Sequence, residues 1–250
     1  MRRTIVLSIL FLLCTVTLAQ QKVILPAGTQ ETFVSHSGYD VSFNDDARIP
    51  NYVSYRLSPS DITTEGISRN DAEFLPDPDI PACPETQEYT RSHYPEGLRL
   101  DRGHMMPAAD CKTSGTRMSE SFYLSNVCPQ DHTLNEEDWC NLEKQVRFWC
   151  KHYYKTDLWI VCGPILGKTE TTTGINIPSQ FWKVICRYDS RYGHWKAIGF
   201  IFNNDSSDQP YAQRAVSVDE IEALTGMDFF SEVEDNEEEF MEKNIGDWKM

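Results

Sequence analysis

The sequence predicts an α+β fold, in which a mostly antiparallel central sheet is flanked by helices. Several segments rich in branched and aromatic residues predict strands, and two amphipathic segments predict helices. The helices are segregated between groups of strands, which is typical of α+β proteins. The chain has 250 residues and shows no internal linker, repeat or low-complexity run. We therefore predict a single domain over residues 20–250.

The first 19 residues have the composition of a signal peptide. Arg2 and Arg3 precede an almost wholly apolar run from Ile5 to Leu18, and Thr17 to Ala19 supplies small residues for cleavage. We therefore expect a secreted or periplasmic protein with no membrane segment in its mature form. The alternative is an N-terminal membrane anchor, which the shortness of the apolar run disfavours.

The predicted elements follow in chain order. Strands are predicted at 38–43, 52–57, 98–101, 121–126, 158–162, 181–188 and 195–202, and helices at 136–152 and 218–224. Between the second and third strands, residues 60–95 form a long excursion that is rich in Pro, Asp and Ser, and excursions of that length are usually functional. Ser217, with Glu220 three residues later, predicts the start of the last helix, and Gly226 predicts its end.

The charge distribution is uneven. The formal net charge is −15, whereas nucleic-acid binders usually carry a basic surface. Twelve acidic residues and two lysines lie between Asp219 and Met250, while Arg91 to Arg117 holds five basic residues against three acids. A local basic cleft on an acidic body fits an enzyme that releases its product. The acidic segment, about 232–250, is predicted to be a solvated helix face or tail.

Seven cysteines follow the predicted signal peptide. They are Cys83, Cys111, Cys128, Cys140, Cys150, Cys162 and Cys186. An exported chain is expected to form disulfides, and an odd number leaves at least one thiol free or paired between chains. Their spacing does not match a structural zinc site. None has the sequence context of a catalytic nucleophile.

The first candidate site residues stand at the end of a predicted strand. Leu98 to Asp101 alternates apolar and charged residues, and Arg102, Gly103 and His104 follow directly. A histidine is well suited to move a proton near neutral pH. A neighbouring arginine suits an anion with several oxygens, such as a phosphodiester. The alternatives are a structural histidine and a simple turn glycine.

The second group of candidates lies on the predicted helix 136–152 and just before it. Trp139, Leu142 and Val146 share one helix face, and Asn135 falls close to that face. Glu143 and Arg147 lie four residues apart and are therefore neighbours. Asn135 could instead be only the helix N-cap, and Arg147 could merely pair with Glu143 on a solvated face.

Taken in order, these segments resemble the DNA/RNA non-specific endonucleases, the DRGH nucleases of the ββα-metal fold, which include endonuclease G. The resemblance rests on Asp101 to His104, Ser125-Asn126 with Pro129-Gln130, and Asn135 followed by Trp139 and Leu142-Glu143. It extends outward to Ser68-Arg69 and to segments 50–57, 159–164, 177–184, 197–203 and 217–226. It covers residues 38 to 231, and this many motifs in the right order are far more specific than any one of them.

The resemblance implies a ββα-metal motif set on the central sheet, and it implies a role for each site residue. His104 would be the general base, and Asn126 would lie close to the site. Asn135 would bind Mg²⁺ directly, with Mn²⁺ as a substitute, and Glu143 would hold the waters of the metal. Arg69, Arg102 and Arg147 would bind the phosphate or stabilise its transition state.

The implied function is metal-dependent hydrolysis of DNA and RNA with little sequence preference, because backbone contacts carry no sequence information. The products would carry 5′-phosphates. One alternative is a metal-dependent phosphodiesterase of small nucleotides, which would lack a groove long enough for a polymer. Another is a secreted binding protein with a degenerate nuclease fold, which the acidic charge favours and the complete set of site residues disfavours. The sequence does not decide whether the protein forms a homodimer or binds an inhibitor protein.

Overall fold

The computed structural model describes residues 23–250. The predicted signal peptide, residues 1–19, lies outside the described residues. The strands are β1 Thr32–Ser35, β2 Asp40–Asn44, β3 Ile49–Leu57, β4 Leu100–His104, β5 Val127–Asp131, β6 Leu158–Ile165, β7 Thr169–Glu170, β8 Asn176–Ile177, β9 Gln180–Asp189, β10 His194–Asn203 and β11 Ala215–Val216. The helices are α1 Gly115–Ser121, α2 His132–Glu136, α3 Asp138–Phe148, α4 Val218–Thr225 and α5 Asp235–Lys243. A π-helical turn, Trp149–Tyr153, continues α3.

A seven-stranded sheet forms the centre of the molecule, in the order β1-β2-β3-β6-β9-β10-β11. Every neighbouring pair in it is antiparallel, which confirms the predicted α+β fold. Side chains alternate along β9: Phe181 and Ile185 join one buried cluster, whereas Trp182 and Val184 join another. The two clusters therefore lie on opposite faces of the sheet.

The ββα unit packs against the first of these faces. In it, β4 and β5 form a separate antiparallel ribbon, with Asp101 opposite Gln130 and Gly103 opposite Cys128. The helices α2 and α3 follow β5 directly. The buried residues of α3, Trp139 and Leu142 among them, belong to the same cluster as the strands beneath. This arrangement brings the end of β4 beside the two helices.

Two predicted elements differ from the structure. The strand predicted at 121–126 is wrong: the end of α1 and a 3₁₀ turn, Leu124–Asn126, occupy it, and the strand β5 begins at Val127. The apolar residues of this segment pack into the core from a turn. A short apolar run cannot by itself show whether a buried segment is a strand or a turn. The helix predicted at 136–152 is interrupted at Glu137, whose φ of −111° and ψ of −86° are not helical.

The other predicted elements are present, although the strand predicted at 98–101 is β4, Leu100–His104, so that Arg102 to His104 lie inside the strand rather than after it. β2 and β3 form the expected hairpin, and the excursion 60–95 contains only short 3₁₀ turns. Ser217 Oγ accepts a hydrogen bond from the Glu220 amide at 3.2 Å, and α4 ends at Gly226 with a φ of 71°. Among residues 23–250, no helix is long and apolar enough to span a bilayer.

The expected disulfides are absent from the described part of the chain. All seven of its cysteines are free thiols, and six of them are buried. Burial raises the pKa of the Cys83 and Cys111 thiols to about 12, so both stay protonated at neutral pH. They therefore pack as small apolar side chains.

The acidic C-terminal segment is packed rather than free. Its helix α5 lies against β10, and Met241 and Trp248 are buried. The Trp248 indole donates to the Ala197 carbonyl at 3.2 Å and packs against Trp149, with ring centroids 5.0 Å apart. The segment thus has the predicted solvated helix face, but it is not a loose tail.

Candidate active site

A cavity of about 530 Å³ opens where the end of β4 meets α2, α3 and the loop that carries Arg69. It gathers six of the seven residues predicted for the site, although they come from separate parts of the chain. They are Arg69, Arg102, His104, Asn135, Glu143 and Arg147. The seventh, Asn126, does not line the cavity.

Two aromatic rings hold the imidazole of His104. Its centroid lies 5.2 Å from that of Phe74 and 4.9 Å from that of Phe122, and the Trp139 indole donates to the His104 carbonyl at 3.3 Å. Nε2 of His104 is buried and makes no hydrogen bond to any residue in the range 23–250. Nδ1 is therefore the nitrogen that can meet a water molecule in the cavity.

The surroundings of His104 also hold its imidazole in the neutral form. Burial, followed by the positive charges of Arg69 and Arg102, lowers the pKa of His104 to about 3. A neutral imidazole is the form that can accept a proton. The same two arginines would be compensated by an anionic substrate, and the pKa of His104 would then rise toward the range that suits a general base.

Asp101 connects Asn135 to His132. Its Oδ2 accepts a hydrogen bond from Asn135 Nδ2 at 3.0 Å and contacts His132 Nδ1 at 2.8 Å. Because its amide nitrogen is engaged, Asn135 has its side-chain oxygen available as a ligand atom. Asn135 is not an N-cap, since Asp131 caps α2 and Glu137 precedes α3.

The carboxylates that line the cavity are Glu136 of α2 and Glu143 of α3, and Glu143 is the less exposed of the two. Burial raises its pKa to about 7, while the charges of Lys183 and Arg147 act in the opposite direction. Arg147 does not pair with Glu143. It donates instead to the buried Asp110 at 2.9 Å. The alternative interpretation, in which Glu143 and Arg147 form a solvent-exposed ion pair, is therefore wrong.

The two other arginines reach the cavity from the side of Phe74. The Arg102 guanidinium lies 4.4 Å from the centre of the Phe74 ring, where a cation is attracted to the ring face. Arg69 is presented by the exposed loop that follows Gly66. Gly66 has a φ of 133°, and a Cβ there would come within 2.5 Å of the Lys112 carbonyl oxygen, so only glycine fits.

Asn126 supports the site from within the core. Its Nδ2 donates to the carbonyls of Met106 and Ser121, and its Oδ1 accepts from the Met106 amide at 2.8 Å. The side chain is fully buried. It thereby fixes the turn that leaves His104, two residues before Met106.

Gly103 is a strand residue, so its interpretation as a simple turn glycine is wrong. It lies in β4, facing the side chain of Gln130. A Cβ at this position would come within 2.2 Å of Gln130 Oε1 and 2.6 Å of Gln130 Cβ. The ribbon therefore needs glycine immediately before His104.

The sequence analysis missed several residues that support the site from distant positions in the chain. Phe74 and Phe122 flank His104, and Asp110 holds Arg147. Lys183 is buried on β9 with its Nζ 4.4 Å from the centre of the Trp139 ring. Lys183, which stands between apolar residues on both sides in β9, was the one available signal for this residue, because buried lysines usually have a partner or a function. Arg117, expected in the basic cleft, pairs elsewhere with Asp61.

A second cavity, of about 340 Å³, continues the first. The two share Arg69, Arg102, Asn135 and Glu136. The second also brings in Arg91, Tyr94 and Arg99 from the excursion and its end. Together the cavities form a groove, and its basic residues contrast with the acidic charge of the whole chain.

The residues present fit a hard divalent cation at this site. Asn135 offers a neutral oxygen and Glu143 a carboxylate, and both line the same cavity. A donor set with so few protein oxygens suits Mg²⁺, which commonly keeps several of its waters. The engagement of the Asn135 amide nitrogen by Asp101 favours the same assignment, because it fixes the orientation of the amide.

Comparison with known proteins agrees with this geometry. The family model described as "DNA/RNA non-specific endonuclease" matches residues 19–236. The chain belongs to the DNA/RNA non-specific endonuclease family. Nuclease C1 of Cunninghamella echinulata var. echinulata is 28% identical over 83% of this chain and 86% of its own length. The human mitochondrial nuclease EXOG is 31% identical over 78% of this chain, which spans only 56% of the human protein.

A solved structure extends the comparison to the fold. The chain in the crystal structure of the EndoG/EndoGI complex superimposes with a TM-score of 0.72 and 25% identity. The match covers 83% of this endonuclease and 89% of that chain. The predicted ββα-metal fold is confirmed by this likeness. The endonuclease is therefore an enzyme of a metal-dependent nuclease family, and a degenerate binding protein is not supported.

The predicted secreted or periplasmic location is wrong. Several relatives of this endonuclease, from vertebrates and from Schizosaccharomyces pombe, are named as mitochondrial nucleases. The inference of export rested on the composition of residues 1–19 alone. An apolar leader with basic residues at its start was too weak a signal to decide the compartment.

Proposed function

We propose that this endonuclease cleaves DNA and RNA with little sequence preference, depends on Mg²⁺ and leaves 5′-phosphorylated ends. The observation that carries the proposal is the single cavity lined by His104, Asn135, Glu143 and the arginines. It combines a neutral base, oxygen ligands for a hard cation and positive charge. These are the three requirements for hydrolysis of an anionic diester with a poor leaving group.

His104 is proposed to be the general base. Nδ1 takes a proton from the attacking water, and the rings of Phe74 and Phe122 keep the imidazole in place. Binding of the phosphodiester beside Arg69 and Arg102 compensates their charges. The affinity of His104 for the proton then rises at the moment at which it has to accept one.

Asn135 is proposed to hold the cation directly, and Glu143 to hold its waters, with Mn²⁺ as a substitute for Mg²⁺. When bound, the ion supplies positive charge beside the leaving 3′ oxygen. Asp101 keeps the Asn135 amide oriented through the 3.0 Å hydrogen bond. Glu143, whose pKa is raised by burial, would be ionised by the nearby positive charge.

The three arginines are proposed to bind the substrate phosphate and its transition state. Arg147 is fixed by the buried Asp110, so its guanidinium is held in one orientation. Arg102 is held against Phe74, whereas Arg69 stands on an exposed loop and can adjust to the substrate. Guanidinium groups suit this task because their donors match phosphate oxygens in pairs.

The groove favours a polymer over a small nucleotide. The second cavity extends the site past Asn135 toward Arg91, Tyr94 and Arg99. A small diester would occupy only the first cavity. Backbone contacts along the groove would bind DNA and RNA alike without reading their sequence.

Digestion of a supercoiled plasmid and of a structured RNA tests the proposal. The wild type, His104→Ala and the surface variant His152→Ala would be assayed with Mg²⁺ and with EDTA. We expect cutting of both polymers by the wild type and His152→Ala, loss with EDTA, and a decrease of about 10²- to 10⁴-fold in His104→Ala. The fragments should be ligated without prior phosphorylation.

Three results would contradict the proposal. Cutting that persists in EDTA would exclude the metal, and unchanged cutting by His104→Ala would exclude the base. Turnover of small phosphodiesters by a folded protein that leaves both polymers intact would establish the alternative substrate class.

A further inference from the structure

A group of carboxylates lies between α4 and α5, where the C-terminal segment meets the rest of the molecule. Oxygens of Asp219, Glu222 and Glu242 all lie within 4.8 Å of one another. These residues belong with the second buried cluster, which includes Ile221 and Met241. The active-site cavity lies with the first cluster, on the other face of the sheet.

Glu242 is buried in this group, and the side chain that its carboxylate meets is another carboxylate, that of Glu222. Its exposed fraction is 8%, and its Oε1 makes no hydrogen bond to any described residue. The carboxylate is directed at those of Asp219 and Glu222 rather than at solvent. A buried carboxylate that has only other carboxylates as neighbours is costly, and such groups are normally paired with a cationic side chain or coordinate a metal.

The positive charges of this region are used elsewhere. Lys243, the neighbour of Glu242, pairs with Glu239. No salt bridge of the described residues includes Asp219, Glu222 or Glu242. Burial, followed by the neighbouring carboxylates, raises the pKa of Glu242 to about 9. Either a proton or a cation has to relieve this repulsion.

We propose that Asp219, Glu222 and Glu242 bind one hard divalent cation, best matched by Ca²⁺, that clips α5 to α4. Ca²⁺ binds oxygens at about 2.3–2.6 Å, so oxygens on opposite sides of one ion lie about 5 Å apart. The observed separation satisfies this distance. Three carboxylates exceed what Mg²⁺ usually takes from protein, while Ca²⁺ accepts several together with waters.

The consequence of the clip is mechanical. The ion fixes α5, and the segment after α5 then packs on the sheet and on α3. The Lys249 carbonyl accepts from the Trp149 indole at 2.7 Å and from Gln145 Nε2 at 3.0 Å. The carboxylate group thus stabilises the C-terminal segment against the helix that carries Glu143 and Arg147. It touches neither the substrate nor the active-site cation.

Thermal unfolding of the full chain after removal of metals tests the clip. We compare the wild type with Glu242→Gln and Asp219→Asn, with or without CaCl₂. Glu220→Gln, an exposed position on α4, is the matched control, and Asn135→Ala excludes binding at the active site. At a Ca²⁺ concentration 100 times the Kd, we expect the melting temperature of the wild type, Glu220→Gln and Asn135→Ala to rise by roughly 5–10 °C.

Glu242→Gln and Asp219→Asn should lose this rise. Without calcium, Glu242→Gln should melt above the wild type because one of the repelling charges is gone. Calorimetric titration should find one calcium site in Glu220→Gln and none in Glu242→Gln. An equal rise in Glu242→Gln, or its loss in Asn135→Ala, would overturn the proposal. So would a wild type that ignores calcium and is stabilised only by acid, since the carboxylates would then share protons.

Discussion

At the scale of single residues, the proposed chemistry of the site depends on the imidazole of His104, which its surroundings keep neutral. Two arginines, Arg69 and Arg102, contribute to this effect, although their proposed task is to bind the substrate. The affinities of His104 for a proton and of the arginines for a phosphate are therefore coupled. Each binding event makes the other more favourable.

We predict that His104 remains neutral in the free protein down to about pH 4. Its folded pKa of about 3 lies below the ordinary value of about 6.5, so protonation opposes folding, and stability falls as the pH drops from about 6.5 toward 3. Histidine NMR measures this pKa directly, with the exposed His152 as an internal control. A phosphodiester analogue should raise the pKa of His104, and a free-state pKa near 6.5 would contradict the argument.

Asp101 offers a second prediction, because it orients Asn135 without facing the reaction itself. We expect Asp101→Asn to weaken metal binding by about 10- to 100-fold, as is usual when a residue that orients a metal ligand is changed. The Mg²⁺ concentration for half-maximal cutting and the calorimetric affinity for Mn²⁺ would both report it. Asp208→Asn, an exposed position, is the control. An unchanged metal affinity in Asp101→Asn would show that Asn135 needs no such support.

At the scale of elements, the sequence predicted best those strands and helices that a local pattern of apolar residues determines. The strands β9 and β10 were recognised because branched and aromatic residues fill both faces. The break at Glu137 was missed, since the pattern of Trp139, Leu142 and Val146 is the same whether or not the helix extends backward. Motif residues such as His104 could be found locally, whereas Asp110 and Lys183 reach the site only through the fold.

The β4–β5 ribbon gives a prediction about close packing. We expect Gly103→Ala to destabilise the protein by about 1–3 kcal/mol, because the added methyl group overlaps Gln130. His104 is the next residue, so activity should fall further than stability accounts for. Urea unfolding and plasmid cutting would be measured together. Gly115→Ala is the control, since its Cβ would meet Ile67 only at an ordinary 3.6 Å. Equal behaviour of the two variants would refute the close-packing argument.

At the scale of the whole molecule, an acidic protein has to bind a polyanion. The formal net charge is −15, yet the groove collects Arg69, Arg91, Arg99 and Arg102 from a short part of the chain. The acidic protein as a whole therefore repels DNA or RNA at long range, whereas the arginines of the groove attract it locally. Salt screens both, but contacts between arginine and phosphate also release condensed counterions, which makes binding in the groove strongly dependent on salt.

We predict that Arg91 and Arg99 act on the polymer rather than on the scissile phosphate. The double variant to alanine should raise KM for DNA while changing the turnover of a small bis-aryl phosphodiester far less, because these side chains line only the second cavity. Each lost phosphate contact should reduce the slope of log affinity against log salt by about 0.9 for duplex DNA. Binding would be measured in Ca²⁺ or with an uncleavable DNA, across a salt series.

The control for this prediction is the double variant Lys168→Ala and Arg191→Ala, which removes the same charge from exposed positions outside the groove. If both double variants weaken binding equally, net charge alone governs the encounter with DNA, and the groove has no directing role. If only the groove variant lowers the salt slope, the arginines contact phosphates directly. Because the overall charge is the same in both, the difference between them isolates the local contribution of the groove.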